Sequence, residues 1–267
     1  MLKLLLIPVI LYAAICLAAY LFQDKALFPT AAARPHGPLP PGAERVAFDA
    51  ADGTHLVGLH VRPRQGAQGA PVILGFGGNA WNADNAAEYL ADLYPRADVV
   101  AFHYRGYPPS AGSPGAAAML GDAIAVHDHV AALFPGRRIV AVGFSIGSGL
   151  AARLARERPI AGAILVTPFD SLTAVAAGHY PWLPVRWLFR NKIEAARDVA
   201  AARVPIAIIV GGADRLIPAE RSEGLRRAAR TLVFDRTIRG AGHNDIYARS
   251  DFQLAAREAL DALLRPR

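Results

Sequence analysis

Three stretches of this sequence carry residue types that can do nucleophilic chemistry. Gly143-Phe144-Ser145-Ile146-Gly147 follows the apolar run Ile139-Val140-Ala141-Val142 and leads into an Ala/Leu-rich stretch. Gly-x-Ser-x-Gly between a strand and a helix predicts a nucleophile elbow, a strained turn that lifts the hydroxyl above a sheet. Its glycines are needed because neighbouring side chains would collide across so tight a turn. The turn also leaves backbone N–H groups at a helix start, where an oxyanion can be held. Such a serine needs a base, and the base needs an acid that fixes its tautomer, here in the chain order Ser, Asp, His. Residues 205–212 form an apolar run ending in glycines, which places Asp214 at the carboxyl edge of a sheet, where open α/β sheets bind ligands. Gly240-Ala241-Gly242-His243-Asn244-Asp245 follows the last strand-like run, and a His on that loop is free to reach the serine. Ser145, Asp214 and His243 are the expected catalytic residues, with Asp170 as the reserve acid.

A second oxyanion donor is expected from the loop Gly75-Phe76-Gly77-Gly78-Asn79-Ala80, whose glycines permit close approach of a backbone to a substrate. The same run fits the dinucleotide pattern G-x-G-x-x-A. That pattern demands an acidic residue at the end of the next strand, where this chain has His103, so no dinucleotide is expected. His127-Asp128-His129 is a poor metal pair, because residues two apart on a helix do not face each other. No metal and no cofactor is expected. A single cysteine, Cys16, excludes a disulfide framework.

The elements that would position these residues alternate. Residues 45–48 and 55–61 flank Asp52-Gly53 and predict a β-hairpin. Buried-strand runs at 71–76, 98–104, 138–144, 160–166, 205–210 and 231–238 are interleaved with helical patterns at 82–94, 115–134, 146–158, 219–229 and 251–264. Short Val/Ile/Ala runs bounded by turn residues suit parallel strands buried on both faces, and strand–helix repetition predicts a doubly wound, mostly parallel α/β sheet. Residues 173–197, with Tyr180, Trp182, Leu183, Trp187 and Phe189, predict a short cap. Trp182 and Trp187 are its candidate substrate-binding side chains, in an acyl groove or at a membrane contact.

The 267 residues carry 29 Lys and Arg against 22 Asp and Glu, a net charge of +7, and all cations except Lys3, Lys25 and Lys192 are Arg. The arginines are scattered among acids with no nucleic-acid signature, so a nucleic-acid partner is not expected. A composition 53% hydrophobic excludes a disordered chain. Residues 4–22 are uncharged and would span about 28 Å as a helix, close to the hydrocarbon thickness. They predict a single-pass signal-anchor helix in a membrane segment 1–28, joined by a Pro-rich linker, 29–44, to a domain at 45–267. A cleaved signal peptide is the rival, but no convincing small-x-small site follows closely. Lys3 and the free amino group put the N-terminus in the cytoplasm and the domain on the non-cytoplasmic side. Because the triad lies wholly downstream, removing residues 1–28 is expected to spare turnover of a soluble ester.

Taken together, the anchor with Phe22-Gln23-Asp24-Lys25-Ala26-Leu27-Phe28-Pro29, then Gly77-Gly78-Asn79-Ala80, Tyr104-Arg105-Gly106-Tyr107, Gly143-Phe144-Ser145-Ile146-Gly147, Pro168-Phe169-Asp170-Ser171-Leu172, Asp214 before Ile217-Pro218, and Gly242-His243-Asn244 resemble the α/β-hydrolase superfamily, in its N-terminally membrane-anchored serine hydrolase branch. The resemblance covers nearly the whole chain. It implies hydrolysis of acyl esters or thioesters, often of lipids, through an acyl-enzyme and without a cofactor. It implies Ser145, Asp214 and His243 as the triad, and the backbone N–H groups of Asn79 and Ile146 as the oxyanion hole. Gly77 stands where the family usually has His, and Pro108 where it has Gly; the loop at Pro108 is therefore expected to take a different shape. A serine peptidase and a catalytically silent, membrane-tethered binding module are the alternative functions.

Overall fold

Each central strand sends alternate side chains to opposite faces, and both faces are covered. The computed structural model describes residues 2–33, 38–66 and 69–265, with side chains from residue 6 onward. The elements run α1 (Leu2–Leu27), β1 (Ala43–Asp49), β2 (His55–Val61), β3 (Val72–Phe76), α2 (Ala83–Leu93), β4 (Asp98–Phe102), α3 (Ala116–Leu133), β5 (Ile139–Phe144) and α4 (Ile146–Glu157). They continue as β6 (Gly162–Val166), α5 (Leu172–His179), α6 (Val185–Leu188), α7 (Ala195–Ala201), β7 (Ile206–Gly211), α8 (Ala219–Ala228), β8 (Leu232–Ile238) and α9 (Ser250–Leu264). The sheet has eight strands in the order β1-β2-β4-β3-β5-β6-β7-β8. β1 and β2 pair antiparallel from Ala43↔Val61 to Asp49↔His55, as the hairpin pattern predicts, and β2 pairs antiparallel with β4. From β4 across to β8 every pair is parallel.

Val72, Leu74 and Phe76 of β3 and Ala141 of β5 pack with Met119 and Val126 of α3, Leu150 and Leu154 of α4 and Val199 of α7. Ile73, Val140, Val142 and Phe144 face the other way, onto Leu90 of α2 and Phe252 and Ala256 of α9. This two-sided burial is why the strands read as near-continuous apolar runs. The mostly parallel, doubly wound sheet agrees with the expectation from sequence; strand and helix ends differ from it by a few residues, as fraying allows. His103, just beyond β4, is buried with its ring bonded to Asp84 at 3.0 Å, so it fastens the start of α2. In the helix α3, His127 bonds Asp128 at 2.9 Å while His129 stacks on Phe48, so the pair diverges.

α1 runs to Leu27, five residues beyond the apolar stretch read from sequence. Its window Leu6–Leu27 has mean hydropathy 2.1 and is long and apolar enough to cross a membrane. Leu6, Leu11, Leu17 and Phe22 stand exposed, whereas Phe28 and Ala33 beyond its end are buried in the core. Residues 34–37 of the expected linker, and the charges at Met1 and Lys3, lie outside what is described.

Candidate active site

The elbow forms because two glycines allow it. Ser145 caps α4 with φ 51° and ψ −118°, a left-handed conformation that costs a non-glycine residue about 1–3 kcal/mol. A Cβ on Gly143 would lie 2.2 Å from the Gly147 carbonyl oxygen, and one on Gly147 would lie 2.2 Å from that of Phe76. No other residue type fits at either place. The strained turn is pinned by the Ser145 N–H donating to Val166 at 2.9 Å and by the Ser148 hydroxyl donating to the Ser145 carbonyl at 2.6 Å.

The structure brings Ser145, His243 and Asp214 into one chain of hydrogen bonds. His243 Nε2 stands 2.9 Å from Ser145 Oγ, and its Nδ1 stands 2.7 Å from Asp214 Oδ2. The other Asp214 oxygen accepts from the N–H groups of Leu216 and Ile217, both at 2.8 Å, so the carboxylate cannot rotate away. The His243 and Asp214 side chains are 9% and 5% exposed, which shields their bond from water. The two loops that present them are joined by Ala213 N–H donating to the Ala241 carbonyl, and the histidine loop is closed on itself by Gly242 N–H donating to Asp245. With Nδ1–H directed at the carboxylate, Nε2 is left to accept the serine proton. Behind the histidine loop, Tyr247 meets Thr167 at 3.3 Å, and burial pushes its phenol up to about 12, so it remains neutral beside Asp214. Asp170 is engaged elsewhere, with Arg221 at 3.1 Å and the Ser171 N–H at 2.7 Å.

Ile146 is the first residue of α4, so its N–H has no partner within the helix. The Gly77-Gly78-Asn79 loop passes the elbow closely; a Cβ on Gly78 would touch the Ser145 Cβ at 3.8 Å. Two phenols hold this loop: Tyr104 donates to the Gly77 carbonyl at 2.7 Å and Tyr107 to that of Asn79 at 2.8 Å. The loop at Pro108 keeps Tyr107 buried through turns closed by Gly106 N–H on Ala111 and Ser110 N–H on Tyr107. Both tyrosines stand in the run Tyr104-Arg105-Gly106-Tyr107, whose spacing alone does not reveal these contacts.

Ser145 opens on an apolar cavity of about 480 Å³, within the range of small-molecule sites. Phe169, Leu172, Val175, Leu183 and Phe189 line one side. The other side is α1 itself, through Ala19, Phe22, Gln23, Ala26 and Leu27. This corrects the view of α1 as a tether remote from the chemistry. A signal was present in the sequence: Gln23 is a polar residue that follows an uncharged helix. It is buried, donating to the Leu188 carbonyl at 3.1 Å and accepting from Arg190 N–H at 2.7 Å. Beside it, Asp24 takes Asn191 and Arg190 at 2.6 and 2.9 Å. Trp182 and Trp187 do not line the cavity. They are 55% and 87% exposed, and the cap lines the cavity through Tyr180, Leu183 and Phe189 instead.

A family profile described as alpha/beta hydrolase fold matches residues 72–201. An uncharacterized protein of Mycobacterium tuberculosis is 34% identical over 238 residues, covering 86% of this chain and 83% of that protein. The lysophosphatidylserine lipase ABHD12 of Xenopus tropicalis is 30% identical over 171 residues, 55% of this chain and 44% of its own length. Among solved structures, an esterase of Pyrococcus furiosus superposes with a TM-score of 0.70 at 18% identity, over 85% of this chain and 97% of that one.

Proposed function

From the premise that the chain belongs to the α/β-hydrolase family, we propose that it is a membrane-anchored serine hydrolase that cleaves carboxylic esters or thioesters of acyl chains. The observation that carries this reading is the unbroken chain Asp214–His243–Ser145 opening directly onto an apolar cavity. His243 Nε2 takes the proton as Ser145 Oγ attacks the acyl carbonyl. The negative oxygen is held by the N–H groups of Asn79 and Ile146, fixed donors that need no reorganisation as charge develops. His243 then returns the proton to the leaving alkoxide or thiolate, which leaves an acyl group on Ser145. A water activated by His243 releases that group as a carboxylic acid. A lipid substrate is favoured by the apolar cavity walls and by the lipase among the relatives.

Retention of α1 in the working protein is supported by what it touches. Cleavage near Ala31–Ala33 would remove one wall of the cavity, the buried Phe28 and the carbonyl of Leu27 that holds Asn79. The positive charge of Lys3 and the amino group, ahead of the apolar stretch, supports a domain outside the cytoplasm, an orientation that protease digestion of intact and permeabilised cells reads directly.

The test is a fluorophosphonate probe on the full chain in detergent, followed by esters, thioesters and peptide amides side by side. Labelling of wild type and none of Ser145→Ala is expected, with turnover of esters or thioesters. Turnover of amides alone would move the assignment to a peptidase, and an unlabelled wild type would leave a silent binding module.

A further inference from the structure

Tyr180, Trp182 and Trp187 of the cap are exposed apolar side chains, with the Tyr180 and Trp182 rings in contact and Trp187 87% exposed. Large exposed apolar surface on one side of a protein marks a partner or a membrane. Its position relative to α1 selects between them. The Tyr12 hydroxyl donates to the Trp182 carbonyl at 2.8 Å, and Gln23 bonds the Leu188 carbonyl. These contacts are eleven residues apart on α1, so the cap reaches about 16 Å down the helix from its exit end. If Leu6–Phe22 lies in hydrocarbon, then whatever is bonded to Tyr12 lies below the interface too, at any tilt. The bond suits that setting, because a phenol and a carbonyl each satisfy a group that hydrocarbon would otherwise penalise. Tryptophan and tyrosine are the side chains enriched at the interface that the cap must cross to reach that depth.

We infer that the cap tip, Tyr180 to Trp187, dips into the leaflet beside α1, and that the acyl chain of a bilayer-resident ester reaches Ser145 between α1 and the cap without crossing water. This rests on the hydrolase reading for its last step only. The helical stripe Ala19, Phe22, Gln23 and Ala26 faces the cavity, while the opposite wall is Leu172, Val175, Tyr180 and Leu183 of the cap. Substrate is then selected by its residence in the bilayer as well as by its chemistry. A long-chain ester delivered as a membrane component fits this route, and a water-soluble ester enters by the open side.

The experiment uses the full chain reconstituted in phosphatidylcholine vesicles containing lipids brominated along the acyl chain. Brominated lipid is expected to quench wild-type tryptophan fluorescence, and the quenched component is expected to vanish in the double variant Trp182→Phe, Trp187→Phe, which retains only the half-buried Trp81, packed on Phe144 and Tyr247. Trp187→Asp is expected to lower turnover of a long-chain ester carried in the vesicles by about tenfold or more, as access from the bilayer is lost, and to leave a soluble short-chain ester unaffected. Equal quenching of wild type and double variant would overturn the proposal. So would equal losses on both esters. Quenching as expected in a chain that no fluorophosphonate labels would refute the hydrolase reading and leave the immersed cap standing.

Discussion

The Asn79 side-chain amide donates to the carbonyl of Leu27 at 2.9 Å, so the loop beside Ser145 hangs from the last residue of the N-terminal helix. The backbone carbonyl of Asn79 is held at the same time by the Tyr107 hydroxyl. Its N–H, the proposed oxyanion donor, is therefore positioned from two sides, one of them the N-terminal helix. Asn79→Ala keeps the N–H but frees the loop. Because complete loss of an oxyanion donor costs about a hundredfold to a thousandfold, misplacement of one should lower kcat by roughly tenfold while KM for a soluble ester changes little. Steady-state kinetics on the full chain separate this from simple destabilisation, which would lower the active fraction and reduce the labelled protein in proportion.

Removal of residues 1–28 tests the same link more severely. Sequence alone suggests that a soluble ester would still be turned over, since the triad lies downstream. The structure reverses that expectation: the deletion strips one cavity wall, unties Asn79 and removes the buried Phe28. Turnover of short and long esters should both collapse. Phe28→Ala alone should cost about 3–5 kcal/mol of stability, the usual price of truncating a core aromatic. Urea midpoints of the full-length variant in detergent measure it.

The contrast shows what a sequence can and cannot reveal. Strands such as Ile139–Phe144 were legible because burial on both faces demands an uninterrupted apolar run, and the elbow was legible because any Cβ at Gly143 or Gly147 would collide with backbone. Asp214 and His243 were legible from their place after strands, since the sheet's edge is where loops converge. The α1 wall was not. An exposed apolar helix and one that also lines a cavity have the same composition, and only the pairings of Gln23 with Leu188 and Arg190 distinguish them. Trp182 and Trp187 could be read as a groove or a membrane contact for a related reason: aromatic content announces apolar contact without saying what is contacted, and only their exposure places them off the cavity lining.

Acid should destabilise the domain through aspartates outside the triad. Burial disfavours the Asp84 charge, but bonds from His103 and Arg45 more than offset it and hold the carboxyl at about 2. Arg158 holds Asp128 at about 2 as well, as Arg105 does Asp52. Folded values below the unfolded value of about 3.9 mean that the folded state favours the ionised form. This stability is fully present above that value and is lost as pH falls toward 2. Unfolding temperature should hold steady from pH 7 to about pH 5 and drop steeply between about pH 4 and pH 2. Asp84→Asn should lower it at pH 7 and make the acid drop shallower; parallel curves for variant and wild type would contradict this assignment.

Asp214→Asn isolates the orienting part of the acid. Asparagine has nearly the same shape, and its carbonyl oxygen can still accept from the Leu216 and Ile217 N–H groups that hold the loop. The atom facing His243 Nδ1 then becomes an amide that donates, where a carboxylate oxygen accepted. Nδ1 must accept in turn, which moves the ring proton to Nε2 and turns it toward Ser145 Oγ. A protonated Nε2 cannot take the serine proton. Fold and cavity should survive, while kcat falls by about ten-thousandfold, the scale of a tautomer reversal in a serine triad. Raising the pH should restore part of the rate, because hydroxide substitutes for the lost base. An Asp214→Asn enzyme that retained most of its activity would instead point to another acid behind His243. Asp170 is already committed to Arg221 and Ser171 and is no candidate.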